Sequence, residues 1–458
     1  MVFRLFLCVV CCVACCPYFP AGEDGPAVAA WDQGRVADQV PRILPWAERT
    51  TVVNRLLTDR LENILPELMR QTGIDMWVII NREYNEDPVY LTLVPEPTFA
   101  ARRTTMLILF DRGKAEGVER LTVSRYPIRD YYEAQWKGGT QDSQWERLAE
   151  VIAERNPKRI GINESRTWPV ADGLTASLKQ RLVEVLPENL QGRLSSAEDL
   201  VVRWIETRSQ AELEIYPQIV GIARAVISEA FSNRVVSPGI TTTEEVEAYI
   251  RQRYSDLGLP IWFHPHVNLQ RKGVTYADDH AFFGTNGTIF RGDILHCDVG
   301  ITYLRLNTDT QEMGYVLRTG EKDVPEGLKK ALAVGNRWQD LFIDQFRRGR
   351  TGNEILAATR ARSTEEGIFC SVYTHPLGHF GHAPGPTIGM WDNQGPTPDR
   401  GSWELHDNTV YAIEGNVKVK VSEWENQLVQ IKMEQDAVFD GEKVFFLGGR
   451  QTRWHLVE

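Results

Sequence analysis

Three strand-like segments in the second half of the chain each carry a carboxylate in a context that favours burial. These are Asp298 in GDILHCDVG, Glu414 in NTVYAIEGNVKV and Glu434 in VQIKMEQDAV. A buried charge without a partner costs several kcal/mol, so each of these carboxylates needs compensation. A salt bridge, for example to Lys432, or a bound cation would provide it.

The histidines are confined to the second half of the chain, since all nine lie at or beyond His264. Three of them fall within eight residues in the segment HPLGHFGH, which begins at His375 and contains His379 and His382. Its glycines allow the backbone to approach a ligand closely. We therefore expect a rigid loop around a site here, and expect the chemistry of the protein to lie in its second half.

The length of the chain, 458 residues, exceeds what one hydrophobic core usually serves, so two domains are expected. Residues 46–204 alternate amphipathic helical stretches with short apolar runs such as 75–80 and 104–110, which predicts an α/β amino-terminal domain. A second domain begins near Arg208. Its first helices are predicted over 211–232 and 241–257, the latter with a Thr-rich start that can cap it.

The charge balance excludes several classes of function. The formal net charge is -11, the sequence pI is about 5.5, and no block of basic residues occurs. Binding to nucleic acid or to an anionic membrane surface requires clustered Lys and Arg, so neither is expected. The chain also has no GxxxxGK[ST] loop and no GxSxG motif, which disfavours nucleotide-dependent and serine-hydrolase chemistry.

The first 29 residues resemble a signal peptide. Arg4 precedes an apolar run over residues 5–16, and Ala27-Val28-Ala29 has small residues at the usual cleavage spacing. The run of about 12 residues is too short to span a bilayer of roughly 30 Å as a helix. We expect an exported mature chain that begins at Ala30 and has no membrane span. A degenerate lipoprotein site at Val13-Ala14-Cys15 is the alternative.

Cysteine usage gives no disulfide framework. Five of the seven cysteines lie in this leader, and only Cys297 and Cys370 lie in the rest of the chain. Both have apolar or small neighbours, so we expect buried, inert thiols.

The carboxylates and the His-rich segment together resemble the M24 metallopeptidases, a family that includes methionine aminopeptidase, aminopeptidase P and prolidase. Asp298 and Asp309 stand eleven residues apart, as in that family, and His375 begins its HxxGxxxH pattern. Glu414 in AIEG and Glu434 in IKMEQDAV match its two glutamate motifs. The resemblance implies a pita-bread domain in which these five residues bind two divalent metal ions. Asp309 and Glu434 would bridge the two ions.

The same resemblance implies three catalytic residues. His280, eighteen residues before Asp298, and His382, at the end of the HxxGxxxH pattern, would contact substrate, and Glu414 would carry a proton to the leaving nitrogen. The amino-terminal part looks like the domain that precedes the catalytic domain in creatinase and prolidase. The expected division is therefore residues 1–29, 30–207 and 208–458, with an α/β domain followed by an α+β pita-bread domain.

His379 is a rival to His375, because prolidase-like members have an HxxxH pattern whose second histidine binds metal. We favour His375, since only this choice places both Gly378 and His382 at the family's spacing.

The sequence departs from the family pattern beside two of the predicted ligands. Gln311 and Glu312 replace the Thr-Arg that often follows the second aspartate, and Lys432 stands where arginine is common.

The function implied by the resemblance is hydrolysis of the amino-terminal peptide bond of peptides, with a preference for a bond to proline. Oxygen-rich ligands with one imidazole suit Mn²⁺, with Co²⁺ and Zn²⁺ as alternatives. A homodimer is expected from the family's two-domain members. The alternative functions are a metal-free, creatinase-like C–N hydrolase and a non-catalytic protein that binds a peptide or a partner in the same cleft.

Overall fold

The computed structural model describes residues 35–277 and 282–458. The predicted leader and His280 lie outside these ranges. Within them, no helix is long and apolar enough to cross a membrane.

Between residue 35 and residue 207 the structure has six strands and eight α-helices, and a π-helical turn (Arg60–Ile64) joins α2 to α3. In chain order these elements are α1 (Val36–Gln39), α2 (Trp46–Asp59), α3 (Leu65–Thr72), β1 (Met76–Arg82), α4 (Tyr90–Leu93), β2 (Thr104–Asp111), β3 (Val118–Val123), β4 (Glu133–Ala134), α5 (Gln141–Arg155), β5 (Ile160–Ile162), α6 (Ala176–Val185), α7 (Glu188–Gln191), β6 (Leu194–Ser196) and α8 (Glu198–Glu206).

The six strands form one mixed sheet in the order β4-β3-β2-β1-β5-β6. Strand β1 is antiparallel to β2 and parallel to β5. Its side chains alternate between two cores: Val78 packs with α5 and α6, whereas Trp77 packs with α3 and α8. Because helices cover both faces of this sheet, its central strand reads as a continuous apolar run, as the sequence analysis found.

The second part contains the elements that follow residue 208. In chain order they are α9 (Gln210–Ala230), α10 (Thr243–Asp256), β7 (His266–Gln270), β8 (Ile294–Val299), β9 (Thr302–Tyr303), β10 (Leu306–Asn307), β11 (Thr310–Val316), α11 (Glu326–Ile343), α12 (Gly352–Glu365), β12 (Phe369–Val372), β13 (His375–Leu377), β14 (Thr409–Val421), β15 (Gln427–Phe439), β16 (Val444–Phe446) and β17 (His455–Val457). The predicted helix at 241–257 is α10, with Thr242 as the capping residue.

A nine-stranded sheet organises this part, with a main path of β12-β14-β15-β11-β8-β7. The longest pairing joins β14 and β15 over thirteen residues of each strand. Helices α9 and α10 pack in one core of this part, and α11 and α12 pack in another. The predicted order, α/β followed by α+β, is confirmed. The division at residue 208 stays a prediction; the six-stranded sheet precedes it and the nine-stranded sheet follows it.

Candidate metal centre

The five predicted ligands come from adjacent strands of the nine-stranded sheet. Asp298 lies on β8, Glu414 on β14 and Glu434 on β15, while Asp309 immediately precedes β11 and His375 begins β13. Glu414 and Glu434 stand directly opposite each other in the β14–β15 pairing.

Residue 311 of β11 provides the link to β8, since it pairs with Asp298 on one side and with Glu434 on the other. Residues directly opposite each other on paired strands have Cβ atoms about 5 Å apart, close enough to share a ligand. The strand register therefore gathers carboxylates that lie far apart in the sequence.

The donor atoms form overlapping groups that fit a metal ion. Asp298, Asp309 and Glu434 form one such group, and His375, Glu414 and Glu434 form another, with the donor atoms of each group within 4.8 Å of one another. Among the buried atoms that have no hydrogen-bond partner in the described residues are three atoms of these ligands: Asp298 Oδ1, His375 Nε2 and Glu434 Oε1. Buried polar atoms are normally satisfied, so these atoms fit a cation that binds between them.

The electrostatics of the four carboxylates also favour a bound cation. Burial, partly offset by Lys432, raises the pKa of Asp298 to about 7. The pKa values of Asp309, Glu414 and Glu434 are raised well above their usual range by burial and by repulsion among the carboxylates. A divalent ion relieves this repulsion and favours the charged carboxylates.

His375 is suited to ligation as a neutral imidazole. Burial, together with the nearby His382, lowers its pKa to about 3. Its Nδ1 lies 2.9 Å from the carbonyl oxygen of Pro376, which leaves Nε2 directed at the carboxylates, 3.6 Å from Asp309 Oδ2. Metal-bound histidines commonly have such a backbone partner on the second nitrogen.

The rival ligand, His379, lies elsewhere. Its Nδ1 is 3.2 Å from the carbonyl oxygen of Arg305, and its Nε2 is 3.7 Å from Glu212 Oε1. Gly378, just before it, lies against the Arg208 guanidinium, where an added Cβ would stand 2.8 Å from the Arg208 Cζ. Of the two candidates, it is His375 that the fold brings to the carboxylates.

His382 lies at the opening of the site. Its ring centroid is 4.6 Å from that of His375 and 5.1 Å from that of Trp262. One group of donor atoms that can hold a metal ion joins it to Asp309 and His375. It is the exposed member of that group, and its contact with substrate stays a prediction.

Two polar residues of the site were not predicted as site residues. Gln311 donates from Nε2 to Glu414 Oε1 at 2.8 Å and to Glu434 Oε2 at 2.9 Å, and its Oε1 lies 2.8 Å from His296 Nε2. Because both amide hydrogens go to carboxylates, His296 donates to the amide oxygen. Two sequence features could have indicated these residues. Gln311 departs from the family pattern, and His296 shares a strand face with Asp298.

A cavity of about 550 Å³ opens onto these carboxylates. Aromatic side chains form much of its wall: Trp262, Phe263, Phe282, Tyr373 and Trp391. Polar residues of the sheet, among them Asn268, His296 and Lys432, line it as well. The site thus combines a polar sheet surface with an apolar opening, which is typical of small-ligand pockets.

Residues 214–438 match the family model described as metallopeptidase family M24. The resemblance to the M24 metallopeptidases is thus confirmed for this part of the chain. This match supports a metallopeptidase, as predicted from the sequence.

Solved structures resemble the chain over most of its length. An X-Pro aminopeptidase from Thermotoga maritima has 19% identity and a TM-score of 0.60, with 85% of this chain and 100% of that chain covered. A Bacillus anthracis Xaa-Pro dipeptidase has 16% identity and a TM-score of 0.56, with 90% and 99% covered. A Pyrococcus furiosus prolidase has 16% identity and a TM-score of 0.54, with 84% of this chain and 99% of that chain covered. No curated protein matches this chain in sequence.

At these identities the structural likeness establishes the fold. The predicted pita-bread domain with a preceding α/β domain is confirmed. The individual roles of the site residues, the identity of the metal and the dimer stay predictions.

Proposed function

We propose that this M24 protein is an exopeptidase that uses two divalent metal ions to cleave the amino-terminal bond of peptides, with a preference for a bond to proline. One observation carries the proposal: two groups of donor atoms that share Glu434, with unpartnered buried atoms in both. A complete set of ligands argues against the metal-free and the non-catalytic alternatives.

In this proposal Asp298, Asp309, His375, Glu414 and Glu434 would hold the two ions. When bound, such ions would supply a water molecule of lowered pKa and a polarised scissile carbonyl. Oxygen donors with a single imidazole favour Mn²⁺, with Co²⁺ and Zn²⁺ as alternatives.

The protein's own residues then position the substrate and move the proton. Glu414, held by Gln311, accepts the proton of the attacking water and delivers it to the leaving nitrogen. His382, at the opening beside His375, donates to the oxygen that gains charge. His280 has the same predicted role.

The preference for proline is supported by the named similar structures. X-Pro aminopeptidase, Xaa-Pro dipeptidase and prolidase all match this chain across both of its parts. The aromatic wall of the cavity also suits an apolar ring.

The test is hydrolysis of an Ala-Pro dipeptide and an Ala-Pro-Ala tripeptide by metal-stripped protein, with and without Mn²⁺. We expect metal-dependent cleavage that is absent in Asp309→Asn and retained in the exposed control Asp344→Asn. Metal binding without cleavage of either peptide would refute the proline preference. Absence of metal binding would favour the non-catalytic alternative.

We also propose export and dimer formation. The leader sequence supports export, with Ala30 as the first residue of the mature chain, and amino-terminal sequencing of the secreted protein tests it. Acylation at Cys15 would instead establish the lipoprotein alternative. Light scattering of the purified protein tests the homodimer.

A further inference from the structure

Lys432 is a buried amino group that has no ion pair among the residues that the structure describes. It lies on β15 two residues before Glu434, is 2% exposed, and lines the cavity. Its Nζ donates to Asn268 Oδ1 at 3.3 Å and lies 5.5 Å from the centroid of the Phe282 ring. Within residues 35–277 and 282–458, no carboxylate oxygen lies within 4.0 Å of Lys432 Nζ, the distance that defines an ion pair.

Other buried cations of this protein are compensated. Arg60 Nη1 lies 2.8 Å from Glu212 Oε2, and Arg224 Nε lies 2.7 Å from Glu312 Oε1. Burial of an ion is costly unless it has such a partner. Lys432 departs from this pattern at the wall of the cavity that opens onto the metal centre.

Burial lowers the pKa of Lys432 to about 7, and the carboxylate of Asp298 partly opposes this by favouring the charged form. The carboxylate of Asp298 belongs, however, to a group of donor atoms that fits a metal ion, and its Oδ1 is unpartnered. Once a divalent ion takes that carboxylate as a ligand, little of its charge remains to compensate Lys432.

The donor capacity of Lys432 is also incompletely used. An ammonium group carries three N–H donors and no acceptor, and Asn268 takes one of them. The remaining donors suit an oxygen anion that enters from the cavity. Charge-assisted bonds of this kind are about twice as strong as neutral ones.

We propose that Lys432 binds a carboxylate of the substrate beside the metal centre. This inference rests on the proposed peptidase function. A peptide can supply the carboxylate from two sources: the free carboxyl terminus of a dipeptide, or an acidic side chain next to the cleaved bond.

Two pairs of peptides distinguish these sources. Ala-Pro and Ala-Pro amide differ in the terminal carboxylate, and Glu-Pro amide and Gln-Pro amide differ in the side chain. For Mn²⁺-loaded native protein, we expect kcat/KM to be about 10- to 100-fold higher for the carboxylate member of one pair. Preference in the first pair identifies a dipeptidase, and preference in the second identifies selection for an acidic residue.

Variants assign the preference to Lys432. Lys432→Met keeps a long side chain without the charge and should abolish the preference, while Lys432→Arg should restore it in part. Lys420→Met, which changes an exposed lysine on the neighbouring strand β14, is the matched control and should keep the preference. Melting temperature and metal content are measured for each variant. If Lys432→Met does not fold, kcat/KM for the two peptide pairs, measured with native protein and with Lys432→Arg, still tests the proposal.

Equal kcat/KM within both pairs for native protein would overturn the proposal, as would a preference that persists in Lys432→Met. If metal-loaded protein cleaves none of the peptides, the proposed function fails. In that case calorimetric binding of proline against prolinamide, and of glutamate against glutamine, still tests Lys432. The proposal is supported if native protein binds the carboxylate member more tightly and Lys432→Met loses this difference. Equal binding of both members by native protein would refute the proposal.

Discussion

Consecutive residues of β11 belong to two buried carboxylate clusters with opposite properties. Gln311 faces the metal centre, where Glu434 is 1% exposed and its pKa is raised by burial and by neighbouring carboxylates. Glu312 is 0% exposed and faces Arg224 and His455. There burial opposes ionisation, yet these two partners bring the pKa of Glu312 below its usual value.

Burial by itself does not distinguish the candidate metal centre from the other carboxylate cluster. Both carboxylates are equally removed from water, so depth alone does not mark the site. The difference is that protein cations compensate Glu312, whereas Glu434 faces other carboxylates and needs a cation from solution. Removing a carboxylate should therefore have opposite effects on the stability of the metal-free protein in the two clusters.

The largest expected effect is on catalysis, from Asp309→Asn. Loss of a predicted bridging ligand should lower kcat/KM by at least about 1,000-fold, since metal activation supplies several kcal/mol of transition-state stabilisation. Metal content should fall as well. In the presence of a chelator the variant should unfold at a higher temperature than the native protein, because repulsion is removed. A lower melting temperature of the metal-free variant would contradict the comparison.

For the compensated cluster, Glu312→Gln should destabilise the protein by about 3 to 5 kcal/mol. The reason is that Arg224 would remain buried without its carboxylate. Chemical denaturation measures this change. The amount of bound metal should be unchanged, and a loss of metal with normal stability would contradict the distinction between the two clusters.

The pH dependence of stability should also differ between the clusters. Asp298 has an ordinary pKa of 3.8, which folding without metal raises to about 7. Its contribution is thus fully present below about pH 4 and is lost as the pH rises through 7, by about 4 kcal/mol. Glu312 acts in the opposite direction: its contribution is present above its ordinary pKa of 4.5 and is lost as the pH falls below it.

Denaturation of chelator-treated protein between pH 5 and pH 8 measures the first of these trends. Asp298→Asn should flatten it, and saturating Mn²⁺ should suppress it. An unchanged slope in Asp298→Asn would show that another group is responsible.

A smaller effect is expected from Gln311→Ala. This change removes the amide that orients Glu414 and Glu434, and loss of such a partner typically weakens metal affinity by about 10- to 100-fold. Competition with a chelator measures the affinity. Gln451→Ala is the matched control, since Gln451 is a buried glutamine that binds the backbone of Met313 on the same strand. It should reduce stability and leave metal affinity unchanged.

The smallest effect is expected from the partly exposed pair Arg305–Glu96, with 2.8 Å between Nη2 and Oε1. Water already solvates these groups, so Glu96→Gln should cost less than about 1 kcal/mol. Chemical denaturation again provides the measurement. A cost comparable to that of Glu312→Gln would mean that burial does not control the strength of ion pairs in this protein.

Much of the architecture was predictable because it depends on local patterns. The apolar run of β1 and the capping threonine of α10 are encoded within a few residues of each other. The five candidate ligands were recognisable for a similar reason, since the spacing of Asp298 and Asp309 and the motif at His375 are short. The fold then brought all five together.

Tertiary structure decided the features that depend on the pairing of distant segments. The register of β8, β11 and β15 places Gln311 between carboxylates more than a hundred residues apart. The position of His379 beside Glu212, away from the metal centre, likewise follows from contacts between separate segments.

The sequence by itself thus indicated the candidate metal ligands, because side-chain chemistry and the spacing of short motifs are local properties. It did not determine which buried charges have partners. Glu312 and Lys432 are both charged residues in apolar strands, yet the first is paired and the second lacks an ion pair among the residues that the structure describes. Only the packing of α9 and β17 against β11 supplies Arg224 and His455, and such long-range contacts are set by the whole fold.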